Sequence, residues 1–232
     1  MENNELEKKE MISEEAGKEE NAKKKRKISP AFIIILLVLI GAGVFVYFKF
    51  FGSSHTGIDN APEKAVKGES KELVVYFSWS GNSQKMARWI AEETGADIFR
   101  IVPEDAYSKE YSEVTDRAKK EKDEGTRPAL SEHIPADIMA KYDVIYLGYP
   151  VWWYDLPMPV WSFLEEYDLS GKTIVPYFSH EGSSNGAGSL GRISELAPNS
   201  TVKTGDALSI RGGKVSSSEN EVKAWVRGLK LE

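Results

Sequence analysis

The sequence predicts an α/β fold: a doubly wound, five-stranded parallel sheet preceded by one transmembrane helix. Three observations carry that prediction. From residue 71 onward, short β-rich runs alternate with helical patterns; several of those runs are continuously apolar; and an uncharged stretch, 31–48, follows a basic run near the N-terminus. A strand covered by helices on both faces is apolar throughout, whereas a half-exposed strand alternates.

Composition narrows the field before any element is placed. With 232 residues there is room for one substantial domain and a tail, but not for separate cofactor and substrate domains. A content of 41% hydrophobic and 28% charged residues belongs to a globular chain, which excludes wholesale disorder and a multispanning membrane protein. The lack of cysteine excludes thiolate nucleophiles, disulfides, iron–sulfur clusters and Cys-type zinc sites. His55, His133 and His180 lie too far apart to form a metal motif by spacing, so no metal is expected. The net charge of −6 is uneven: residues 1–30 carry eight acids and eight bases, so with Lys49 set aside the remainder carries −7. Such a domain has no basic stripe for counterion release, and nucleic acid is not an expected partner.

Taken in order, 1–30 reads as a disordered tail that is poor in large apolar side chains and closes in the basic flank Lys23 to Lys27. Residues 31–51 read as a membrane anchor. The uncharged run is about 27 Å long at ~1.5 Å per residue, close to the hydrocarbon thickness of a bilayer. It ends in bulky Tyr47 and Phe48 rather than in the small-x-small site of a cleaved signal peptide. Five bases before the span and only Lys49 closely after it place the tail in the cytoplasm and the rest outside the cytoplasmic membrane. Residues 52–70, rich in Gly, Ser, Pro and charge, read as a tether, and the domain is expected to occupy 71–232.

Within that domain the expected strands are 73–77, 97–102, 144–149, 173–178 and 201–207. Met86, Ala87, Ile90 and Ala91 recur at helical spacing, with Gly95 where a C-terminal cap belongs. Further helices are expected at 159–167, 189–197 and 218–229, the last opening on a Ser218 to Glu221 capping box before the stripe Val222, Trp225, Val226, Leu229. The charged stretch 104–135, with Tyr107 and Tyr111, reads as a helix-containing excursion before the third strand.

A doubly wound sheet binds its ligand at the carboxyl ends of the strands, which directs attention to three loops. The first, Ser78-Trp79-Ser80-Gly81-Asn82-Ser83, joins a buried strand to a helix; helix-start N–H groups, approachable at Gly81, and the three serine hydroxyls form a cradle for a phosphate dianion. It lacks both the Lys of a Walker loop and the spacing of a G-x-G-x-x-G loop. The second loop carries Pro150, Val151, Trp152, Trp153 and Tyr154, and its flat aromatic faces suit a planar ring. The third runs from Ser179 through His180, Glu181, Gly182 and Ser183 to Ser189, and is small and polar, with backbone donors for the ring's edge. His180 is the candidate catalytic residue, as a proton donor or a stabiliser of developing charge. A carboxylate such as Glu181 or Asp155 close to the ring would lower its reduction potential.

Several stretches together resemble the flavodoxin family, in its flavodoxin-like oxidoreductase branch, over about 72–229. They are VVYFSWSGNS at 74–83, GADIFRIVP at 95–103, YDVIYLGYPVWW at 142–153, FLEEYDLSGK at 163–172, and the loop 178–188. The resemblance implies a sheet of order 2-1-3-4-5, the arrangement known from flavodoxin itself, that holds FMN noncovalently. By motif, Ser78, Ser80, Gly81, Asn82 and Ser83 would hold the phosphate. Pro150, Val151, Trp152 and Trp153 would line the isoalloxazine, with Ser179, Gly182 and Ser183 at its other edge. The expectation is thus a membrane-anchored FMN protein in electron transfer or flavin-dependent oxidoreduction, its partner a redox protein, a quinone or a small electron acceptor. The alternative is a non-redox binding or scaffold module that kept the fold without flavin.

Overall fold

The structure is a computed structural model, and it describes residues 66–182 and 186–231, all within the unit that runs from Ser54 to the C-terminus. The expected tail and anchor, and 52–65 of the expected tether, lie outside the described residues. Among the described residues no helix is long and apolar enough to cross a membrane.

Strand β1 (Glu72–Tyr76) leads through α1 (Asn82–Thr94) to β2 (Asp97–Arg100). Helices α2 (Tyr111–Glu124) and α3 (Ala136–Met139) precede β3 (Val144–Pro150), α4 (Met158–Glu166) and β4 (Thr173–His180). Then follow α5 (Ala187–Leu196), β5 (Thr201–Val202), a 3-10 turn (Thr204–Asp206), β6 (Leu208–Arg211), α6 (Gly212–Val215) and α7 (Glu219–Gly228). Every strand pair is parallel, and the order β2-β1-β3-β4-β5 is the 2-1-3-4-5 arrangement expected from the sequence.

Although the strands are continuously apolar, their side chains still alternate between the two faces. Leu73, Val75, Ile145, Leu147, Ile174 and Phe178 pack on one face with Val160 and Phe163 of α4 and Ile193 of α5. Val74, Tyr76, Tyr146, Val175 and Tyr177 pack on the other with Met86 and Ile90 of α1 and Val222 and Val226 of α7. Burying one such aliphatic side chain contributes about 1.5–3 kcal/mol, so both layers are needed to hold the sheet. Gly148 has no alternative on β3: a Cβ there would stand 2.1 Å from the Tyr177 ring.

Two elements depart from the sequence reading. The fifth strand, expected as one run over 201–207, is broken: only β5 falls within it, pairing with Thr173 and Ile174, and β6, which lies wholly beyond the expected range, pairs with Tyr177 to His180 of the same strand. Lys172 and Ile174 send their carbonyls to this edge. Pro176, two residues on, therefore faces the same way with no N–H to give, and the ladder lapses beside it. The Ser218 to Glu221 capping box does not form, because Ser218 Oγ donates instead to the Lys214 carbonyl, 3.1 Å away in the preceding turn. Residues 66–70 of the expected tether are docked on the domain: Asp97 Oδ2 accepts the N–H groups of Lys67 (3.2 Å) and Gly68 (3.0 Å) and the Tyr142 hydroxyl (2.7 Å).

Candidate functional site

The carboxyl ends of β1, β3 and β4 bring the three loops to one edge of the sheet. In the first loop, Gly81 sits at the N-cap of α1 with φ 87, a left-handed conformation that glycine alone adopts without cost. Its N–H donates to Ser78 Oγ at 3.1 Å, so Ser78 shapes the turn. Ser80 and Asn82 are half-buried. Ser83 is only 1% exposed, and its Oγ has no hydrogen-bond partner. A buried hydroxyl left unpaired costs about 1–3 kcal/mol. At the start of a helix, where first-turn N–H groups have no partner inside the helix, it is a donor positioned for an anion from outside. The cradle therefore fits a phosphate.

In the second loop, Pro150 closes β3, and the Val151 N–H donates to the Ser179 carbonyl at 2.8 Å. Trp152 packs edge-on against Phe77 (5.3 Å between centroids) and Tyr107 (5.2 Å). Trp153 and Tyr154 form a two-residue turn in which Trp152 and Asp155 exchange backbone hydrogen bonds. Asp155 is not among the residues that line the pocket described below: its Oδ1 accepts the Leu156 N–H, and its Oδ2 lies 3.8 Å from Arg192 Nε. Of the two carboxylates weighed from the sequence, Glu181 is the one beside the pocket.

In the third loop, Ser179 is buried within β4, between Pro150 of β3 and Ile210 of β6. His180 Nδ1 accepts the Gly182 N–H at 3.0 Å, which puts the neutral ring's proton on Nε2. Gly182 has φ 99. Ser183 lies outside the described residues.

Trp79, Val151, Trp152, Trp153, Tyr154, His180 and Glu181 line one pocket of about 250 Å³, closed on its remaining side by Tyr111, Val114, Thr115 and Ala118. This last wall is helix α2, so the excursion 104–135 covers the crevice. The spacing 111, 114, 115, 118 is that of one helical face; the sequence contained the stripe but not the direction it faces. The excursion closes on itself where Pro103 pairs with Leu130. It is braced by Tyr107, whose hydroxyl donates to Glu121, and by Arg117, whose Nε donates to Glu121 Oε1 at 2.7 Å. Burial, then the bond to Glu121, pushes the Tyr107 hydroxyl far above the ordinary phenol range, so it remains a donor at any physiological pH. Arg117 also lies 4.2 Å over the Tyr107 ring. A larger hollow of about 390 Å³ on the other side of α2 draws no residue from the three loops.

Sequence reasoning also missed the end of β6. A Cβ on Gly212 would stand 2.9 Å from Asn82 Nδ2 and 2.2 Å from Glu181 Oε1, so the start of α6 approaches both the phosphate cradle and the third loop. Arg211 lies against Gly182, with its guanidinium 3.9 Å from where a Cβ would be.

The profile of the family described as Flavodoxin matches residues 71–229. A provisionally named flavoprotein from Bacteroides uniformis ATCC 8492 is 28% identical, with a TM-score of 0.58 over 68% of this chain and 98% of its own. Another, from Bacteroides eggerthii DSM 20697, is 26% identical, with a TM-score of 0.59 over 71% and 100%. A flavoprotein from Lactobacillus acidophilus NCFM, solved in complex with FMN, is 22% identical, with a TM-score of 0.49 over 67% and 98%. No curated protein matches the chain.

Proposed function

Since the chain belongs to the flavodoxin family, we propose that it binds FMN noncovalently and carries electrons, held by residues 31–51 to the cytoplasmic membrane with this domain on its outer side. The observation that carries the reading is the unpaired, buried Ser83 Oγ at the Gly81-capped start of α1, at the same sheet edge as an aromatic pocket. Ser78, Ser80, Gly81, Asn82 and Ser83 would hold the phosphate. Val151, Trp152 and Trp153 would border the ring, with Pro150 at the end of β3 behind them, and Ser179, Gly182 and Ser183 would supply its polar edge. When bound, FMN supplies the electron-accepting and electron-donating chemistry.

The chain's own residues position the ring and set its surroundings. Helix α2 and the aromatic turn supply facing walls between which the ring would lie. His180 holds a proton at Nε2 beside it. Glu181 places a carboxylate at the same edge and would disfavour negative charge on a reduced ring. The partner this reading calls for is a redox protein, a quinone or a small electron acceptor, and the acidic balance of the domain disfavours nucleic acid.

The test is the absorption spectrum of the full-length chain before and after FMN is added, followed by anaerobic reduction. A bound flavin that bleaches on reduction and recovers with an added quinone is the expected result. A colourless chain that ignores FMN would leave the fold standing and turn the function over to a scaffold role.

A further inference from the structure

The turn that closes the second loop is built against its own backbone preference. Trp153 has φ 48 and Tyr154 φ 66, and among the described residues these are the positive-φ positions not occupied by glycine. A two-residue hairpin with positive φ at both centres favours Asn-Gly, because a Cβ crowds the backbone there. Two bulky aromatics are an unfavourable choice, and such a conformation persists only where its surroundings over-determine it.

They do so here from three sides. Trp152 and Asp155 exchange hydrogen bonds of 3.0 and 2.9 Å across the turn. From α2, Lys122 Nζ donates to the Trp153 carbonyl at 2.5 Å, and the Thr115 carbonyl accepts from Trp153 Nε1 at 3.1 Å. On the far side, α5 approaches so closely that a Cβ on Gly188 would stand 2.8 Å from the Tyr154 carbonyl. The rings held in this way are not core: Trp153 is 38% exposed and Tyr154 61%, and both line the pocket. Tyr111, across the same pocket, is the other large hydrophobic residue exposed among the described residues.

We propose that folding stability is given up at Trp153 and Tyr154 to stand two aromatic walls on the pocket, which makes Tyr154 a ring-binding residue and Lys122 the positioning residue that grips the turn. The proposal rests on the flavin reading above. It separates two quantities that an ordinary packing residue moves together: relaxing the turn stabilises the empty protein and weakens its hold on a planar ring.

The experiment measures, on the full-length chain, the melting temperature without ligand and the FMN dissociation constant by fluorescence. Tyr154→Asn, whose side chain tolerates the left-handed region, is expected to raise the ligand-free melting temperature by ~2–4 °C, the shift that about 1 kcal/mol gives a domain of this size. The same variant is expected to weaken FMN about tenfold, the loss of one aromatic wall. Tyr154→Phe keeps ring and strain and leaves both readings at the wild-type value. Lys122→Met is expected to weaken FMN with Tyr154 intact. A Tyr154→Asn chain that melts lower, or that binds FMN as tightly as wild type, would overturn the proposal. Failure of the flavin reading is a distinct result, since a wild-type chain that takes up no FMN is identified before any variant is compared.

Discussion

Ser83 carries a hydroxyl that the fold buries and leaves without a partner, and the cost of that arrangement defines a test. In Ser83→Ala the unpaired group is gone, so the ligand-free chain is expected to melt at or slightly above the wild-type temperature. A hydrogen bond to a charged acceptor is worth about 1.5–3 kcal/mol, so FMN binding is expected to weaken by roughly ten- to a hundredfold. Calorimetry on the empty chain and a fluorescence titration check the two halves. A large fall in melting temperature would show that Ser83 supports the fold instead. Ser83 stood out in the sequence only as one serine among three. That Ser78 shapes the turn while Ser83 keeps its hydroxyl free of protein partners is a matter of which way each side chain points once α1 docks.

At the scale of elements, α2 is the piece that supplies the pocket's remaining wall. It is held by the Tyr107, Arg117 and Glu121 network, by Val114 and Ala118, and by the closing pair Pro103 and Leu130. Arg117→Met leaves Glu121, 7% exposed, with its charge uncompensated. The expected loss of stability is about 2 kcal/mol, below the ~3–5 of a fully buried pair because Arg117 is partly exposed. It is expected first in α2: hydrogen exchange over 104–124 speeds up by at least tenfold while β1 and β3 keep their protection. Uniform loss of protection across the sheet would contradict a locally held lid. That the charged stretch 104–135 contains a helix was legible in the sequence. Its seat over the crevice was not, since the face 111, 114, 115, 118 fits any apolar surface. The break in the last strand was hidden for a related reason: Pro176 is in β4, and its missing N–H matters to a neighbour some thirty residues away in sequence.

For the whole molecule, Lys67 and Gly68 dock at one end of the strands and the pocket opens at the other. Asp97, at the start of β2, ties down Lys67 and Gly68, while the loops of the site leave the opposite ends of the strands. The proposed orientation, with the basic flank Lys23 to Lys27 in the cytoplasm, predicts that protease added to intact cells removes the domain and spares the tail. Protection of the domain in intact cells, with digestion only after lysis, would reverse the orientation.

The sequence by itself determined the parallel sheet, its helical layers and the three loops that meet at one edge. These follow from local pattern: continuous apolar runs, helical stripes, and the turn chemistry of Gly81 and Gly95. Only the tertiary structure decided which wall completes the pocket, that Asp155 does not line it, that the start of α6 reaches Asn82, and that Trp153 and Tyr154 stand in a left-handed turn. Each of these depends on two segments distant in sequence arriving at the same place, and no local propensity records such an encounter.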